Sequence, residues 1–241
     1  AYTDLDWDPG AKHFMPWQAG IAGIAYNPKL VGGKLTSAND LFDPKLKGKV
    51  TMLTELRDSV GLVMMGQGSS VVDADPAKIN QALDQIEEAA GNGQILKFTG
   101  NEYLQGLEDG SIAACVAWSG DIFSLDPDLG IEFVVPDEGG TQWFDTMVIP
   151  KGAIRKDEAE QWMNFVYDPE NAARITEWVG YISPVKGVKE VLLEAGGDSA
   201  DLAENPLVFV DDETQKRLQV FGPLDQKDEI AIQTRFNGIT G

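Results

Sequence analysis

The sequence predicts an α/β protein in which strands alternate with helices along the chain. The run SIAACVAW at 111–118 has no alternation of apolar and polar residues, so it indicates a strand buried on both faces, as in a parallel sheet. The segment 75–91 carries apolar residues at helical spacing, and similar helical stretches separate the other strand-like runs. Together these patterns are typical of a fold built around parallel strands.

Strands are predicted wherever a short apolar run ends at a turn. The first, at 20–27, is punctuated by glycine and closes at Asn27-Pro28. The others are predicted at about 49–54, 94–98, 111–118, 131–136 and 143–150. In the last run Trp143 and Asp145 stand two apart, so a ring and a carboxylate share one face of a strand that is otherwise apolar.

Helices are predicted from caps and from 3.6-residue periodicity. Asp75 caps the clearest one, Pro76 occupies its first turn, and Gly91 ends it. Further helices are predicted at 36–42, 59–66, 101–110, 155–167 and 169–179. The one at 155–167 is amphipathic, with Ala159, Trp162, Met163 and Val166 on one side.

Composition excludes several classes of function. The net charge of −20 argues against nucleic acid as a partner, because phosphates require Lys and Arg. A glycine-rich phosphate-binding motif is also missing from the sequence. The single cysteine, Cys115, is expected to be a small buried hydrophobe, and the single histidine, His13, a surface residue. A single histidine excludes most metal sites built from histidines and most Ser-His-Asp triads.

Acidic and aromatic residues follow the predicted strands, where ligands bind in open α/β sheets. They are Glu55 and Asp58 after the second strand, Trp118 and Asp121 after the fourth, Trp143 and Asp145 in the last, and Tyr181 at a later chain reversal. This combination suits an organic cation, because carboxylates compensate the lost hydration of an ammonium group and ring faces attract its charge. Arg57, the only base in these stretches, is expected to support a carboxylate.

Other interpretations of the same residues stay open on this pattern alone. Glu55 and Asp58 also suit the first turn of a helix, where the macrodipole favours acids, and Asp121 suits a cap. Trp118 and Trp143 also suit a core. Two carboxylates could also serve as the acid and the base of a glycoside hydrolase. Asp145 is the hardest to explain structurally, because aspartate is disfavoured inside strands.

The chain resembles the periplasmic polyamine-binding proteins of ABC transporters, the spermidine/putrescine receptors. The resemblance lies in the order and spacing of seven segments that together extend over most of the chain. They are PWQAGIAGIAYN at 16–27, LFDPKLKGKV at 41–50, LTELRD at 53–58, AWSGD at 117–121, WFDTMVIP at 143–150, NFVYDPENAA at 164–173 and VGYISP at 179–184.

The resemblance implies a set of ligand-binding residues, no catalytic residue, no metal and no cofactor. The family's D-x-R-E segment reads E-L-R-D here, so Glu55 and Asp58 would meet amino groups with their side-chain lengths exchanged. The remaining implied contacts are Trp118, Trp143, Asp145, Tyr181 and Trp17. A late glutamine of some members has no clear counterpart near Gln233 or Phe236. Putrescine, spermidine or a related amine would satisfy this pattern.

The resemblance also implies a periplasmic-binding-protein-like fold of type II, with two lobes, a hinge and an incomplete N-terminal lobe. Residues 1–20 would be a remnant of the first lobe and the crossover, and 21–144 the second lobe. Residues 145–189 would return to the first lobe, and 190–241 would complete the second.

An ABC-transporter permease is the implied partner, and the implied location is periplasmic or extracellular, lipid-anchored or secreted. Hinge closure around the amine would create the form that the transporter recognises. An incomplete lobe exposes apolar surface, so dimerisation through it is a further expectation. The alternatives are the glycoside hydrolase and a receptor of the same fold for another small solute.

Overall fold

The computed structural model describes residues 8–10 and 12–241. The strands are β1 (Met15–Tyr26), β2 (Val50–Leu53), β3 (Ile95–Thr99), β4 (Ala114–Trp118), β5 (Glu132–Val134), β6 (Gly140–Met147) and β7 (Leu218–Gln219). The α-helices are α1 (Pro28–Val31), α2 (Leu56–Gly66), α3 (Pro76–Gly91), α4 (Tyr103–Glu108), α5 (Ser119–Phe123), α6 (Lys156–Val166), α7 (Pro169–Val179), α8 (Val188–Ala195), α9 (Asp198–Ala203), α10 (Asp212–Arg217) and α11 (Gln226–Thr240). Short 3₁₀ helices span Ala38–Phe42, Pro44–Leu46 and Pro127–Leu129.

The strands form one mixed sheet in the order β3-β2-β4-β1-β6-β7, with β5 also paired to β1. β2 runs parallel to β3 and β4, whereas β1 runs antiparallel to β4 and β5. The predicted α/β class is confirmed, and the prediction that β4 is buried on both faces holds for Ala114–Ala117. The prediction of parallel neighbours for β4 is correct for β2 and wrong for β1, which runs antiparallel to β4.

The chain divides into two compact units. Unit 1 comprises 1–20 and 143–211, and unit 2 comprises 21–142 and 212–241. The chain passes between the units inside β1, inside β6, and just before α10. Part of the predicted remnant at 1–20, namely 1–7 and 11, lies outside the described residues.

Unit 2 has an extensive apolar core around β1, β2 and β4. Its largest fully buried side chains include Tyr103, Ile24, Leu53, Leu83 and Phe236. The core explains the position of α11, whose Phe236 packs edge-on against Phe98 with ring centroids 6.3 Å apart. Phe236 is therefore a packing residue, consistent with its exclusion from the residues expected to bind ligand.

The predicted helices agree well with the observed ones. Asp75 caps α3 by accepting a hydrogen bond from the Ala77 amide, and Asp168 caps α7 in the same way through Glu170 and Asn171. The helix predicted at 59–66 begins earlier, at Leu56, and the segment at 36–42 is a 3₁₀ helix. The strand predicted at 20–27 also begins earlier, at Met15. The prediction missed this start because the sequence before Gly20 lacks an obvious start signal.

Helix α6 is amphipathic as predicted, but most of its apolar side is exposed. Val166 is buried, whereas Trp162 and Phe165 are 57% and 55% exposed and stack with centroids 6.0 Å apart. Cys115 is buried and the His13 side chain is exposed, as predicted. Within residues 8–10 and 12–241, every helix falls short of the length and apolar character that a membrane span needs.

Candidate functional site

In unit 2 the predicted acids stand at the start of α2, directly after β2. Glu55 is the N-cap, and its Oε2 accepts a hydrogen bond of 2.8 Å from the Asp58 amide. Acids in this position satisfy free amide groups and interact favourably with the helix dipole. The structural interpretation of the two acids is therefore confirmed, and it coexists with any role in binding.

Asp58 connects the start of α2 to Trp118 and Thr141. Its Oδ2 accepts a hydrogen bond of 2.7 Å from the indole Nε1–H of Trp118, and its Oδ1 accepts one of 2.6 Å from the Thr141 hydroxyl. Asp58 is only 4% exposed. Both carboxylate oxygens thus have protein donors, and both donors are neutral.

Trp118 is also held through its backbone at the carboxyl end of β4. Its amide donates a hydrogen bond of 3.1 Å to the hydroxyl of Tyr103. That hydroxyl donates to Asp121 Oδ2 at 2.6 Å, and Asn101 Nδ2 donates to the same oxygen at 2.6 Å. Asp121 lies in the first turn of α5, and its side chain fixes the buried Tyr103 that in turn holds Trp118.

Among the residues that the structure describes, neither Glu55 nor Asp58 forms an ion pair with a Lys or Arg. Burial, followed by the charge of Asp58, raises the pKa of Glu55 to about 7. Burial also raises the pKa of Asp58, although the hydrogen bonds from Thr141 and Trp118 oppose that rise. The charge of Arg57 opposes the rise in pKa of both acids, and its backbone N–H does so for Glu55. Its guanidinium is paired with Glu229 at 2.8 Å. Arg57 supports a carboxylate as expected, but that carboxylate belongs to α11.

In unit 1, Trp143 packs against Gly20 and Tyr181. A methyl group added to Gly20 would lie 2.2 Å from Cζ2 of Trp143, so the indole occupies the space that a side chain would need. The rings of Trp143 and Tyr181 meet edge to face, with centroids 5.1 Å apart. The indole Nε1 is buried, and the part of the chain that the structure describes offers it no hydrogen-bond partner.

Asp145 follows Trp143 on β6 at the spacing that places both on one face. The strand is buried at Gly140–Gln142, partly buried at Trp143, and exposed at Asp145. The expectation of a buried strand is therefore wrong for its second half, and the exposure removes the conflict of an aspartate in a core. Nearby protein atoms still shield the carboxyl enough to raise the pKa of Asp145.

Trp17 lies apart from this ring pair. It lines a small cavity with Val166, Tyr167 and Thr176. Strand residues alternate between faces, so Trp17 and Gly20 point to opposite sides of β1. The structure accordingly does not bring Trp17 to Trp143 and Tyr181.

A second cavity in unit 1, of about 900 Å³, contains none of the predicted binding residues. Its apolar lining comes from Phe14, Met15, Met147, Ile149 and Met163. Among residues 8–10 and 12–241, no group of three or more His, Cys, Asp or Glu side chains is arranged to hold a metal ion.

Sequence reasoning missed three residues that position the candidate site: Gly20, Tyr103 and Thr141. Thr141 had a usable signal, because it precedes Trp143 and Asp145 at the same period-two spacing. The sequence marks Gly20 only as the start of a strand, and the close approach of an indole to it has no sequence signature. Tyr103 reads simply as an apolar position of α4.

Comparison with known proteins identifies the family. Residues 1–210 match the sequence model of a family described as bacterial extracellular solute-binding protein. A spermidine/putrescine-binding periplasmic protein of Escherichia coli is 26% identical over 212 residues, covering 87% of this chain and 59% of the relative. A putrescine/cadaverine-binding protein of Pseudomonas aeruginosa is 24% identical over 245 residues, covering 96% of this chain and 67% of the relative.

Solved structures agree with the sequence match. A protein titled a putative spermidine/putrescine ABC transporter from Listeria monocytogenes superposes with a TM-score of 0.87 at 29% identity, covering 99% of this chain and 72% of that one. The fold is thus that of ABC-transporter substrate-binding proteins, as the resemblance implied. The chain spans 59% of the length of its Escherichia coli relative.

The matched family consists of solute-binding proteins and gives no support to the glycoside hydrolase alternative. The expectation that the chain is not an enzyme agrees with this match. The chain belongs to the bacterial extracellular solute-binding protein family.

Proposed function

We propose that this protein binds a protonated alkyl polyamine of the putrescine or spermidine class for uptake by an ABC transporter. One observation carries the proposal: the acids near exposed or partly buried rings lack basic partners. Within the described part of the chain, no Lys or Arg forms an ion pair with Glu55, Asp58 or Asp145. An uncompensated acidic site beside aromatic faces favours an organic cation over a sugar or an anion.

In this proposal each unit carries acids and rings that suit an amine. In unit 2, Glu55 supplies a carboxylate and Trp118 a ring face, with Asp58 at the N–H edge of the ring. From unit 1, Asp145 supplies an exposed carboxylate, and Trp143 and Tyr181 supply rings. Trp17 belongs to the proposed set on the resemblance alone, and the cavity that it lines gives it a packing role besides.

The names of the relatives support the same ligand class. The Escherichia coli relative is called a spermidine/putrescine-binding protein, and the Pseudomonas aeruginosa relative a putrescine/cadaverine-binding protein. All three amines are linear chains with an ammonium group at each end, the shape that separated carboxylates and rings recognise.

A panel of ligands tests the proposal by thermal unfolding. Putrescine, cadaverine and spermidine are expected to raise the melting temperature, because a ligand that binds only the native state stabilises it. Glucose, maltose and calcium chloride serve as controls and are expected to leave it unchanged. Stabilisation by sugars or calcium, without any by amines, would refute the proposal.

The proposed cellular role follows from the family. We propose that the protein acts outside the cytoplasmic membrane and delivers its ligand to a membrane permease through hinge closure between two lobes. A pull-down of the permease from detergent extract, with and without 1 mM putrescine (roughly 100 times a Kd near 10 μM), tests this role. Capture that does not depend on putrescine would contradict it.

We also propose that the exposed face of α6 allows two copies of this chain to associate. The stacked pair Trp162 and Phe165 forms an apolar patch that is exposed to solvent in a single chain and that a second copy could cover. Sedimentation of the protein at increasing concentration tests association, with the double variant Trp162→Glu/Phe165→Glu as control. A monomer at every concentration would exclude it.

A further inference from the structure

Asp58 is an unusual partner for a ligand cation, because the protein already occupies both of its oxygens. Trp118 donates to one and Thr141 to the other, at 2.7 Å and 2.6 Å. The side chain is almost fully buried. Each oxygen could accept a further hydrogen bond, but the burial of the side chain leaves an ammonium group little access to it.

The indole of Trp118 is held at two points instead. Asp58 fixes its Nε1–H, and Tyr103 fixes its backbone amide. Tyr103 is itself fully buried, and its ring lies 6.4 Å from the Trp118 ring at 58°. The Trp118 side chain remains partly exposed. A ring held at its edge and at its backbone can keep one orientation toward a ligand without touching the ligand through Asp58.

We propose that Asp58 and Thr141 are positioning residues for Trp118, and that Asp58 acts on a bound amine through the indole ring. This inference rests on the proposed amine binding. The carboxylate fixes the angle of the ring, and its charge at Nε1–H increases the negative potential of the ring face that attracts a cation. The hydroxyl of Thr141 fixes the carboxylate in turn.

This assignment gives the exchanged acids, Glu55 and Asp58, different tasks. Glu55 uses one oxygen to cap α2, and its side chain is only partly buried, so it has the better access to an ammonium group. Asp58 is shorter by one methylene and lies buried at the N–H edge of the indole. The order E-L-R-D therefore matches a site in which the first acid meets the ligand and the second supports a ring.

Thr141→Val tests the chain of contacts without changing side-chain shape. The Thr141 methyl Cγ2 packs close to Gly61, and valine keeps that methyl while losing the hydroxyl. We expect putrescine affinity to fall about tenfold, as for the loss of one hydrogen bond to a charged group. Thr141→Ser should recover most of this loss. Thr51→Val, at another buried threonine of the same sheet, serves as the matched control.

The position of the ring is read directly from its indole ¹H–¹⁵N signal, assigned by its disappearance in Trp118→Phe. Thr141→Val should shift that signal in the ligand-free protein, and Thr51→Val should not. A signal that stays in place in Thr141→Val, or that moves equally in both variants, would overturn the positioning role. This readout separates positioning from a general loss of stability.

A double-mutant cycle then separates action through the ring from direct contact. Asn at position 58 can still accept from Trp118 and can donate to Thr141, so Asp58→Asn removes the charge but keeps the geometry. We expect a loss of about three- to tenfold in putrescine affinity that vanishes in the Trp118→Phe background. An equal loss in both backgrounds would show that Asp58 contacts the amine directly and would overturn the proposal.

The experiments distinguish a failure of the proposed amine binding from a failure of the positioning role of Asp58 and Thr141. If the parent protein binds no amine, the proposed function is wrong, and the indole signals in ligand-free variants still decide whether Asp58 and Thr141 position the ring. If the parent binds amines but the cycle shows no coupling, the proposed function stands and the positioning role is wrong.

Discussion

Trp143 lies against Gly20 so closely that the two residues fit together only because one has no side chain. A methyl group at Gly20 would approach three ring atoms within 2.2, 2.6 and 2.9 Å. Contacts that short do not persist, so any larger residue at position 20 must displace the indole. The proposed ligand contact of Trp143 therefore depends on a glycine that lies 123 positions earlier.

Gly20→Ala is expected to lower both stability and amine affinity. Overpacking of this kind costs about 1–3 kcal/mol in the free energy of unfolding, and the displaced indole loses its orientation. Chemical denaturation and putrescine titration measure the two effects. Gly91→Ala is the matched control, because nothing lies within 4 Å of the added methyl. Gly20→Ala with unchanged stability and affinity would show that the ring does not need this contact.

Asp145→Asn is expected to weaken amine binding while leaving the fold intact. The side chain is exposed, so losing its charge should change the melting temperature of the free protein little. Amine affinity should fall by about tenfold or more, because a charge-assisted hydrogen bond contributes about 1.5–3 kcal/mol. The exposed Asp73 provides the control variant Asp73→Asn, which should bind like the parent. Equal affinities in all three proteins would remove Asp145 from the site.

Glu55 predicts a specific dependence of stability on pH. Its pKa lies near 7 in the folded protein against 4.5 for an ordinary Glu, so the native state binds more protons than the unfolded state between these values. The stabilising contribution of protonated Glu55 is therefore present below about pH 4.5 and is lost as pH rises through 7.

Glu55→Gln removes the ionisable group, and with it the loss of stability that follows ionisation of Glu55 at higher pH. The difference in melting temperature between Glu55→Gln and the parent should grow in favour of the variant from pH 5 to pH 8. A difference that is constant over this range would contradict the raised pKa of Glu55.

Glu55 also makes amine affinity depend on pH, and this affinity should rise with pH whereas stability falls. Only ionised Glu55 attracts an ammonium group, so putrescine affinity should increase by about tenfold from pH 6 to pH 8, where the amine stays protonated. Glu55→Gln should bind more weakly and with little pH dependence. A parent affinity that falls over this range would exclude Glu55 as the partner of the amine.

Cys115 provides an internal probe of unit 2. It is the only cysteine of the sequence and is fully buried on β4, and burial raises the pKa of its thiol. Its reaction with a thiol reagent should be at least about 1000-fold slower in the native protein than in denaturant, because reaction requires opening of the core. Amine binding should slow it further. Fast reaction of the native protein would contradict the packing of β4.

The sequence was sufficient to predict most secondary structure in unit 2, because caps, turns and apolar periodicity agree there. The helix α3 is an example, with Asp75, Pro76 and Gly91 marking its ends. The exposure of α6 was not predictable, because an amphipathic pattern shows which side is apolar and not what covers it. The mixed direction of the sheet was also missed, since a continuous apolar run does not reveal the direction of its neighbours.

The candidate site was predictable as a set of residue types and not as a set of contacts. The pattern of carboxylates and rings after strands selects Glu55, Asp58 and Trp118, and in the structure Asp58 contacts the other two. The hydrogen bond from the Trp118 indole to Asp58 depends on the position of β4 relative to α2, which no local pattern encodes. The placement of Trp17 apart from Trp143 and Tyr181 could not be predicted for a similar reason, because its face of β1 is set by the strand register.

Calorimetric titration of the protein with putrescine and with 1,4-butanediol tests the central claim most directly. The two molecules share a four-carbon chain and differ in their terminal groups, so only the charged one should meet the carboxylates. We predict micromolar or tighter binding of putrescine, equivalent to about −8 kcal/mol or more, and no measurable binding of the diol. Equal binding of both molecules, or no binding of putrescine, would contradict recognition of an ammonium group by these acids and rings.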